Sequence, residues 1–244
     1  MPASLGLTRA QILAFRRRAG ALDERLPRGA RSLRQAAWAG LTDSVPRAAL
    51  LSIHARVEGT KPSSWEDRSL VQVWGPRNSI YVVPARDRAL FTLGRFPEDE
   101  GRRRRAEEMA ARVQAFLAGR RLKDNDVQHA LGIGNAIKYA APTGTLLLRW
   151  DGGRTPTIWT VPAPQIAPLE ARRELARRYL HILGSATPEA FATWAGVGDA
   201  AARATFDGLG TALTPVRTPI GDAWILARDE QAFREPPGPT AGAR

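Results

Sequence analysis

The sequence predicts a mainly α-helical fold with small β-hairpins (α+β), arranged as tandem winged-helix units. Two observations predict it. Helical segments followed by β-type segments recur three times along the 244 residues, and a strong hairpin signal closes the second repeat. A winged helix has this order, and its third helix and its hairpin contact DNA. We therefore divide the chain into units at residues 1–100, 101–166 and 167–233, followed by a disordered tail at 234–244.

The first unit begins with amphipathic segments that carry local start and stop signals. Thr8 is a typical N-cap, Gly40 ends the second segment, and Pro46 occupies a first-turn position of the third. A β-type run closed by Pro84 ends the unit. The predicted elements are helices at Thr8–Ala19, Arg31–Ala39, Pro46–Ala55 and Ser69–Trp74, and a strand at Asn78–Val83.

The second unit contains the clearest hairpin signal of the chain. The β-type runs TLLLRW and RTPTIW flank Asp151-Gly152-Gly153, and an Asp-Gly turn between such runs strongly favours a hairpin. We assign Trp150 and Trp159 at this hairpin to the core. The helices predicted before it are Arg102–Leu117, Asp124–Leu131 and Ala136–Ala141.

The third unit repeats the order of the second. Thr187 followed by Pro188 is an N-cap followed by proline at the first helical position, and Gly196 stops that helix. The predicted elements are helices at Leu169–Leu183, Thr187–Trp194 and Gly198–Leu209, and paired strands at Leu213–Arg217 and Ala223–Ala227.

The charge of the chain is strongly positive and unevenly distributed. There are 36 Lys+Arg against 24 Asp+Glu, a net charge of +12. Residues 1–100 carry 16 basic and 10 acidic groups, residues 101–166 carry 11 and 5, and residues 167–244 carry 9 of each. A polyanion would therefore be held by the first two units, with an affinity that falls as salt rises. Duplex DNA is the expected partner, and a merely soluble arginine-rich surface is the alternative.

Several kinds of site are excluded or disfavoured by composition. The chain has no cysteine, which excludes disulfides, thiolate metal sites and cysteine nucleophiles. Its three histidines are far apart in sequence, which argues against a histidine metal site. The sequence contains neither an apolar signal core nor a run of membrane-spanning length. We expect a cytoplasmic, nucleoid-associated monomer without metal or cofactor.

Candidate DNA contacts follow from the geometry of a winged helix. The third helix of the second unit carries Asn135, Lys138 and Tyr139, and the hairpin carries Arg149 and Arg154. Arg154, beside the turn, is the better candidate of the two arginines. The alternative is that both arginines are simply solvated.

The loop Thr42-Asp43-Ser44 joins two helices of the first unit. Two hydroxyls spaced two residues apart can hold one water molecule by two hydrogen bonds. The alternative, which the residues alone favour, is a helix cap formed by Asp43 or Ser44 for the helix that begins near Pro46.

Four stretches resemble the winged-helix DNA glycosylases of the AlkZ/YcaQ type. They lie at Ala36–Arg56 (AAWAGLTDSVPRAALLSIHAR), Leu70–Pro84 (LVQVWGPRNSIYVVP), Ala141–Gly153 (APTGTLLLRWDGG) and Ala176–Gly196 (ARRYLHILGSATPEAFATWAG). None is a short universal motif, but their order and coverage make the resemblance specific. Family members usually continue past the Pro/Gly-rich end of this sequence, which leaves a C-terminal truncation open.

The resemblance implies a concave basic surface of tandem winged helices and removal of alkylated or crosslinked bases. The family's catalytic pair is a glutamine, any residue, then glutamine or aspartate. Thr42 and Ser44 fall on its two positions and Asp43 on the spacer, so hydroxyls replace the longer amides. The resemblance thus implies a catalytic role for Thr42 and Ser44, and for Asp43 if its carboxylate turns inward. Where the family often has histidine, the sequence has Arg77 and then Tyr81, and Arg77 is a candidate phosphate contact.

Three functions follow from these observations. The first is a monofunctional DNA repair glycosylase that hydrolyses the N-glycosidic bond of an alkylated, crosslinked or deaminated base, with or without base flipping. The second is a non-catalytic DNA-binding protein, such as a transcription regulator or a damage sensor. The third is a protein that binds structured RNA.

Overall fold

The computed structural model describes residues 5–45, 47–153 and 155–235. The helices are α1 (Arg9–Ala19), α2 (Ala30–Ala36), α3 (Ala48–Arg56), α4 (Arg88–Thr92), α5 (Glu100–Leu117), α6 (Asp124–Leu131), α7 (Pro168–Leu183), α8 (Pro188–Ala195), α9 (Asp199–Asp207) and α10 (Glu230–Arg234). The strands are β1 (Leu5–Gly6), β2 (Leu41–Thr42), β3 (Leu70–Trp74), β4 (Ile80–Pro84), β5 (Leu122–Lys123), β6 (Leu146–Arg149), β7 (Thr157–Thr160), β8 (Leu213–Thr218) and β9 (Gly221–Leu226).

The predicted helix caps and hairpins are largely confirmed. The Thr8 hydroxyl accepts a hydrogen bond from the backbone of Gln11 at the start of α1, and Thr187 caps α8 in the same way through Ala190. Strands β6 and β7 pair antiparallel across the Asp-Gly-Gly turn, and β8 pairs with β9. Each of these elements is specified by residues close to one another in sequence, so local chemistry was sufficient to predict it.

Two predicted helices are corrected. Ser69–Trp74 was expected to be helical, but Leu70–Trp74 is strand β3. Alternating valines favour an extended chain, and Gly75-Pro76 ends the run after five residues, which is too short for a stable helix. The segment predicted as a helix at Ala136–Ala141 lies within a 3₁₀ helix, Gly134–Thr143, that contains Pro142. Proline lacks the amide proton that an α-helix requires at that position.

A six-stranded sheet joins the first two predicted units. Its strand order is β2-β4-β3-β6-β7-β5, so the hairpin of the second unit continues the hairpin of the first. The junction between the two hairpins is the antiparallel pair β3–β6, where Gln72 lies opposite Leu148. The two hairpins are therefore held by backbone hydrogen bonds within one sheet.

The N-terminal segment lies with the third predicted unit. Strand β1 pairs in parallel with β8, and Phe15 of α1 stacks on Phe233 of α10 with ring centroids 3.8 Å apart. These residues share a buried cluster with Val216 and Ile225 of the third-unit hairpin. The division at residues 100 and 166 remains a prediction, but the first helix packs against residues that follow residue 166. The predicted tail lies mostly outside the described residues, although α10 extends to Arg234.

Buried Arg95 connects the first and third units. Its guanidinium donates hydrogen bonds to the carbonyl oxygens of Ala195 (2.9 Å) and Trp74 (3.2 Å) and to Oδ1 of Asn78 (2.8 Å). Burial lowers the pKa of Arg95 to about 10, which leaves it charged at neutral pH. A buried cation in this position requires all three acceptors, so it fixes the loop after β3 against the end of α8.

We expect Arg95→Met to lower the free energy of unfolding by about 3 kcal/mol, because three buried acceptors lose a charged donor. Urea denaturation of the full chain measures this change. The exposed Arg203→Met variant is the control and should change stability by less than about 0.5 kcal/mol. Equal effects of the two variants would contradict a structural role for Arg95.

Candidate functional site

Strand β2 and the residues after it form the site loop, defined here as Leu41–Val45. Leu41 pairs with Val82 and Thr42 with Tyr81, and the backbone amide of Asp43 donates to the carbonyl oxygen of Ile80 at 2.7 Å. Because successive side chains of an extended chain point to opposite sides, Thr42 and Ser44 are exposed while Asp43 is buried. Oγ1 of Thr42 lies 3.4 Å from Oγ of Ser44. The two hydroxyls therefore lie close enough to share one small polar ligand.

Asp43 faces the protein interior and is 3% exposed. Its Oδ1 accepts a hydrogen bond from the amide of Ala49 (3.0 Å) in the first turn of α3, and its Oδ2 accepts one from Nε2 of Gln72 (2.7 Å). The helix-cap interpretation of the loop is thus correct for Asp43. A cavity lies beside the site loop, and the Asp43 carboxylate does not line it. It holds the loop that presents the two hydroxyls.

Gln72 links the site loop to the hairpin of the second unit. Its Nε2 also donates to the carbonyl oxygen of Trp150 (3.2 Å), and its Oε1 accepts from the amide of Trp150 (2.6 Å). Sequence reasoning missed this residue. Its signal was a single amide side chain within the otherwise apolar strand LVQVW. We refer to the connection Asp43–Gln72–Trp150 as the loop–hairpin bridge.

The loop lies beside a cavity of about 320 Å³, which we call the reaction cavity. Thr42 lines it together with Arg56 and Arg77, and the third unit contributes Tyr179 and Trp194. No acidic side chain lines it within the described parts of the chain. Sequence reasoning found Thr42 and Arg77 but not the two aromatic residues, which are more than 100 residues away and have no local signal.

Arg77 and Tyr81 form the polar edge of the reaction cavity. Burial raises the pKa of the Tyr81 hydroxyl, and the neighbouring Arg77 and Arg95 guanidiniums partly oppose this shift. Arg77 and Asn78 both have a φ of 57°, a left-handed conformation that is unfavourable for residues with side chains. The bond from Arg95 to Asn78 helps to hold this strained turn. The turn aims Arg77 at the cavity.

The other predicted DNA contacts lie apart from this cavity. Asn135 and Tyr139 are exposed on one 3₁₀ helix, and Lys138 on the same helix is half-buried. The Arg149 guanidinium is paired with Glu66 at 2.7 Å and lies over the ring of Trp65. Arg154 lies outside the described residues. The structure therefore places Thr42 and Arg77 at one cavity, with Ser44 beside Thr42 but outside the lining, and leaves the candidates of the second unit apart.

Two further searches of the described residues gave no site. They contain no cluster of three or more histidine, aspartate or glutamate side chains that could hold a metal ion. They also contain no helix long and apolar enough to cross a membrane.

The pKa of Asp43 provides a test of its buried position. Burial raises this pKa above 3.8, while the bonds from Ala49 and Gln72 and the charge of Arg47 oppose the shift. The folded protein therefore retains a proton that the unfolded chain loses, so this stabilising contribution is complete below about pH 4 and is lost as pH rises through the raised value. Asp43→Asn cannot titrate. We expect the stability of the wild type relative to this variant to fall from pH 4 to pH 7, as measured by urea denaturation.

The exposed Asp207→Asn variant controls for the general effect of replacing a carboxylate by an amide. A difference between wild type and Asp43→Asn that rises with pH would show that the carboxylate is stabilised in its charged form, contrary to the burial described above.

The comparisons with known proteins identify the family and a similar fold. A family described as DNA glycosylase AlkZ-like matches residues 35–244. The solved structure of Streptomyces sahachiroi DNA glycosylase AlkZ is similar in fold, with a TM-score of 0.77 and 19% identity over 96% of this chain and 74% of that chain. No curated protein matches the sequence. The family match covers most of the chain and confirms the resemblance noted in the sequence, so the protein belongs to the AlkZ-like family of DNA glycosylases.

Proposed function

We propose that this DNA glycosylase is monofunctional and removes alkylated bases from duplex DNA by hydrolysis, using water held by Thr42 and Ser44. The observation that carries the proposal is the pair of hydroxyls, 3.4 Å apart, on a loop beside the reaction cavity. A water molecule bound to both oxygens would be fixed in position and orientation, which lowers the entropic part of the barrier to attack on the sugar.

The preference for alkylated bases is supported by the lining of the reaction cavity. Alkylation of a ring nitrogen other than the one that carries the sugar, such as N7 of guanine or N3 of adenine, makes the base cationic, so the base leaves as a neutral molecule without being protonated. A neutral base needs a general acid. No carboxyl group lines the cavity in the described residues, and burial raises the pKa of the Tyr81 and Tyr179 hydroxyls, which makes them weak acids. Deaminated bases are therefore expected to be poor substrates.

Charge stabilisation is the second requirement, because the sugar becomes cationic as the base departs. Asp43 lies on the buried side of the site loop and, in its ionised form, supplies negative potential from behind the two hydroxyls. Arg56 and Arg77 at the cavity have the opposite sign, and their partners in this proposal are the DNA phosphates. Asp43 is therefore assigned to positioning and electrostatics, and Thr42 and Ser44 to contact with water.

The decisive experiment is base release from duplexes that carry alkylated, crosslinked or deaminated bases, followed by cleavage of abasic sites with alkali. We expect strand breaks on the alkylated duplex, and only after alkali, because hydrolysis leaves an intact abasic site. Breaks before alkali would contradict the monofunctional mechanism. Release of deaminated bases at an equal rate would contradict the argument from the missing acid.

The double variant Thr42→Ala/Ser44→Ala tests the water-binding role. We expect base release to fall by about 100-fold or more while DNA affinity changes little, because the lost hydroxyls position water rather than phosphate. Single-turnover rates and binding isotherms separate the two effects. The exposed Thr211→Ala variant of the third unit is the control. Retained activity in the double variant would remove these hydroxyls from the mechanism.

A non-catalytic DNA-binding role is the second candidate. It is favoured by one observation, the presence of short hydroxyls where the family's catalytic pair has longer polar side chains. Binding to a defined DNA sequence in a footprinting experiment, without release of any base from the lesion panel, would support it.

A further inference from the structure

A second cavity of about 490 Å³ lies next to the reaction cavity. The two cavities share Ala19, Gln35 and Ile182 as lining residues, so a single layer of side chains separates them. Neither the proposed reaction nor the sequence patterns assign a role to this second cavity, which we call the arginine cavity.

The lining of the arginine cavity is strongly cationic. Four arginines line it, together with His181, and no acidic side chain does so within the described residues. The arginines come from separate parts of the fold: two from α2, one before α4 and one before α10. They are Arg31, Arg34, Arg86 and Arg228. Four guanidiniums around one open space repel each other unless an anion lies between them.

Each nearby carboxylate has a shorter contact with a side chain other than the four arginines. Asp87 accepts its shorter bond from Arg178, at 2.9 Å, and lies 3.7 Å from Arg86. Asp229 lies 2.8 Å from Nδ1 of His181 and 3.9 Å from Arg228. These contacts leave most of the positive charge at the rim without compensation.

Arg31 and Arg34 are the least compensated of the four. Among the described residues, neither has a carboxylate within 4.0 Å, and Arg34 acts on Asp67 only through its longer-range charge. Both are on the short helix α2, which also carries Gln35 in the wall between the two cavities. The helix therefore presents two guanidiniums to the arginine cavity and one amide to the shared wall.

His181 is held in a fixed orientation. Its ring packs edge-on against Phe15 and Trp38, with centroid distances of 5.9 and 5.4 Å, and its Nδ1 bonds to Asp229. The bond to Asp229 leaves the second ring nitrogen as the polar atom available to the cavity that His181 lines. The site thus has an oriented imidazole in addition to its four guanidiniums.

We propose that the arginine cavity binds a phosphodiester group of the DNA strand whose nucleotide occupies the reaction cavity. This proposal rests on the proposed function, because the sugar that is attacked determines which phosphate of the strand lies at the arginine cavity. Guanidinium groups match the geometry of phosphate oxygens, and a phosphate of the same strand is the anion that lies closest to a nucleotide one wall away. The phosphate contact sets the position of the strand so that the sugar faces Thr42.

The first test is the salt dependence of DNA binding by Arg31→Gln/Arg34→Gln. Binding is measured with a duplex that carries a tetrahydrofuran analogue of an abasic site. The analogue marks one position of the strand and has no base to release. We expect weaker binding and a slope of log affinity against log salt that is shallower by about 1 to 2, because each phosphate contact contributes about 0.9. Arg203→Gln/Arg217→Gln removes the same charge from exposed arginines of the third unit and is the matched control. Equal slopes for the two double variants would overturn the proposal.

The second test locates the phosphate. Single neutral methylphosphonate linkages are placed at successive positions around the abasic analogue, and affinity is measured for the wild type and for Arg31→Gln/Arg34→Gln. At one or two adjacent linkages, the methylphosphonate should lower the affinity of the wild type by about tenfold. The same linkage should not lower the affinity of the variant further, because its arginines are already absent. Equal losses in both proteins at every linkage would mean that these arginines act only through general charge, and would overturn a specific site.

Both tests read binding rather than catalysis, so they separate this proposal from the proposed function. If one linkage affects the wild type but not the variant, and no lesion loses its base, the phosphate site is supported and the glycosylase mechanism is contradicted. If a base is released but every linkage affects both proteins equally, the glycosylase mechanism is supported and the phosphate site is contradicted. Urea midpoints of the variants verify that these substitutions leave the fold intact.

Discussion

The fold depends on buried arginines whose charges can be satisfied in only one arrangement of the chain. Arg95 donates to carbonyl oxygens of Trp74 and Ala195, Arg172 of α7 to those of Gly94 and Phe96, and Arg178 of α7 to that of Trp38. A buried guanidinium that loses its acceptors is costly, so α7 and α8 are fixed against the first unit. Since α7 and α8 supply Tyr179 and Trp194, the same bonds position two of the side chains that line the reaction cavity.

In the loop–hairpin bridge, too, a buried polar side chain requires its hydrogen-bond partners and so fixes the elements that carry them. Gln72 uses both ends of its amide, with Asp43 on one side and the Trp150 backbone on the other. The position of Thr42 and Ser44 is thereby tied to the hairpin that the winged-helix geometry assigns to DNA. A single buried polar side chain thus ties the position of the site loop to that of the hairpin.

The folded structure locates the positive charge more specifically than a count of charges along the sequence does. The excess of arginine lies in residues 1–166, yet Arg228 and His181 of the neutral third unit help to line the arginine cavity. Arg149, which the sequence predicts as a DNA contact, is paired with Glu66 and lies over the ring of Trp65. Net charge indicates the kind of partner, whereas only the folded structure shows which guanidiniums lie around one cavity.

The sequence by itself determined the helices with good caps, the Asp-Gly hairpin, the family, and the loop that carries Thr42 and Ser44. Each depends on a signal contained within a few neighbouring residues, or on a long ordered resemblance. The prediction of a helix at Ser69–Trp74 is wrong because the periodicity of so short a run, with four apolar residues around Gln72, does not distinguish a helix from a strand. Only the tertiary structure revealed Gln72 at the junction of two hairpins, the inward carboxylate of Asp43, and the arginine cavity. Those features join residues tens to more than a hundred positions apart, and side-chain type alone does not specify which distant groups pack together.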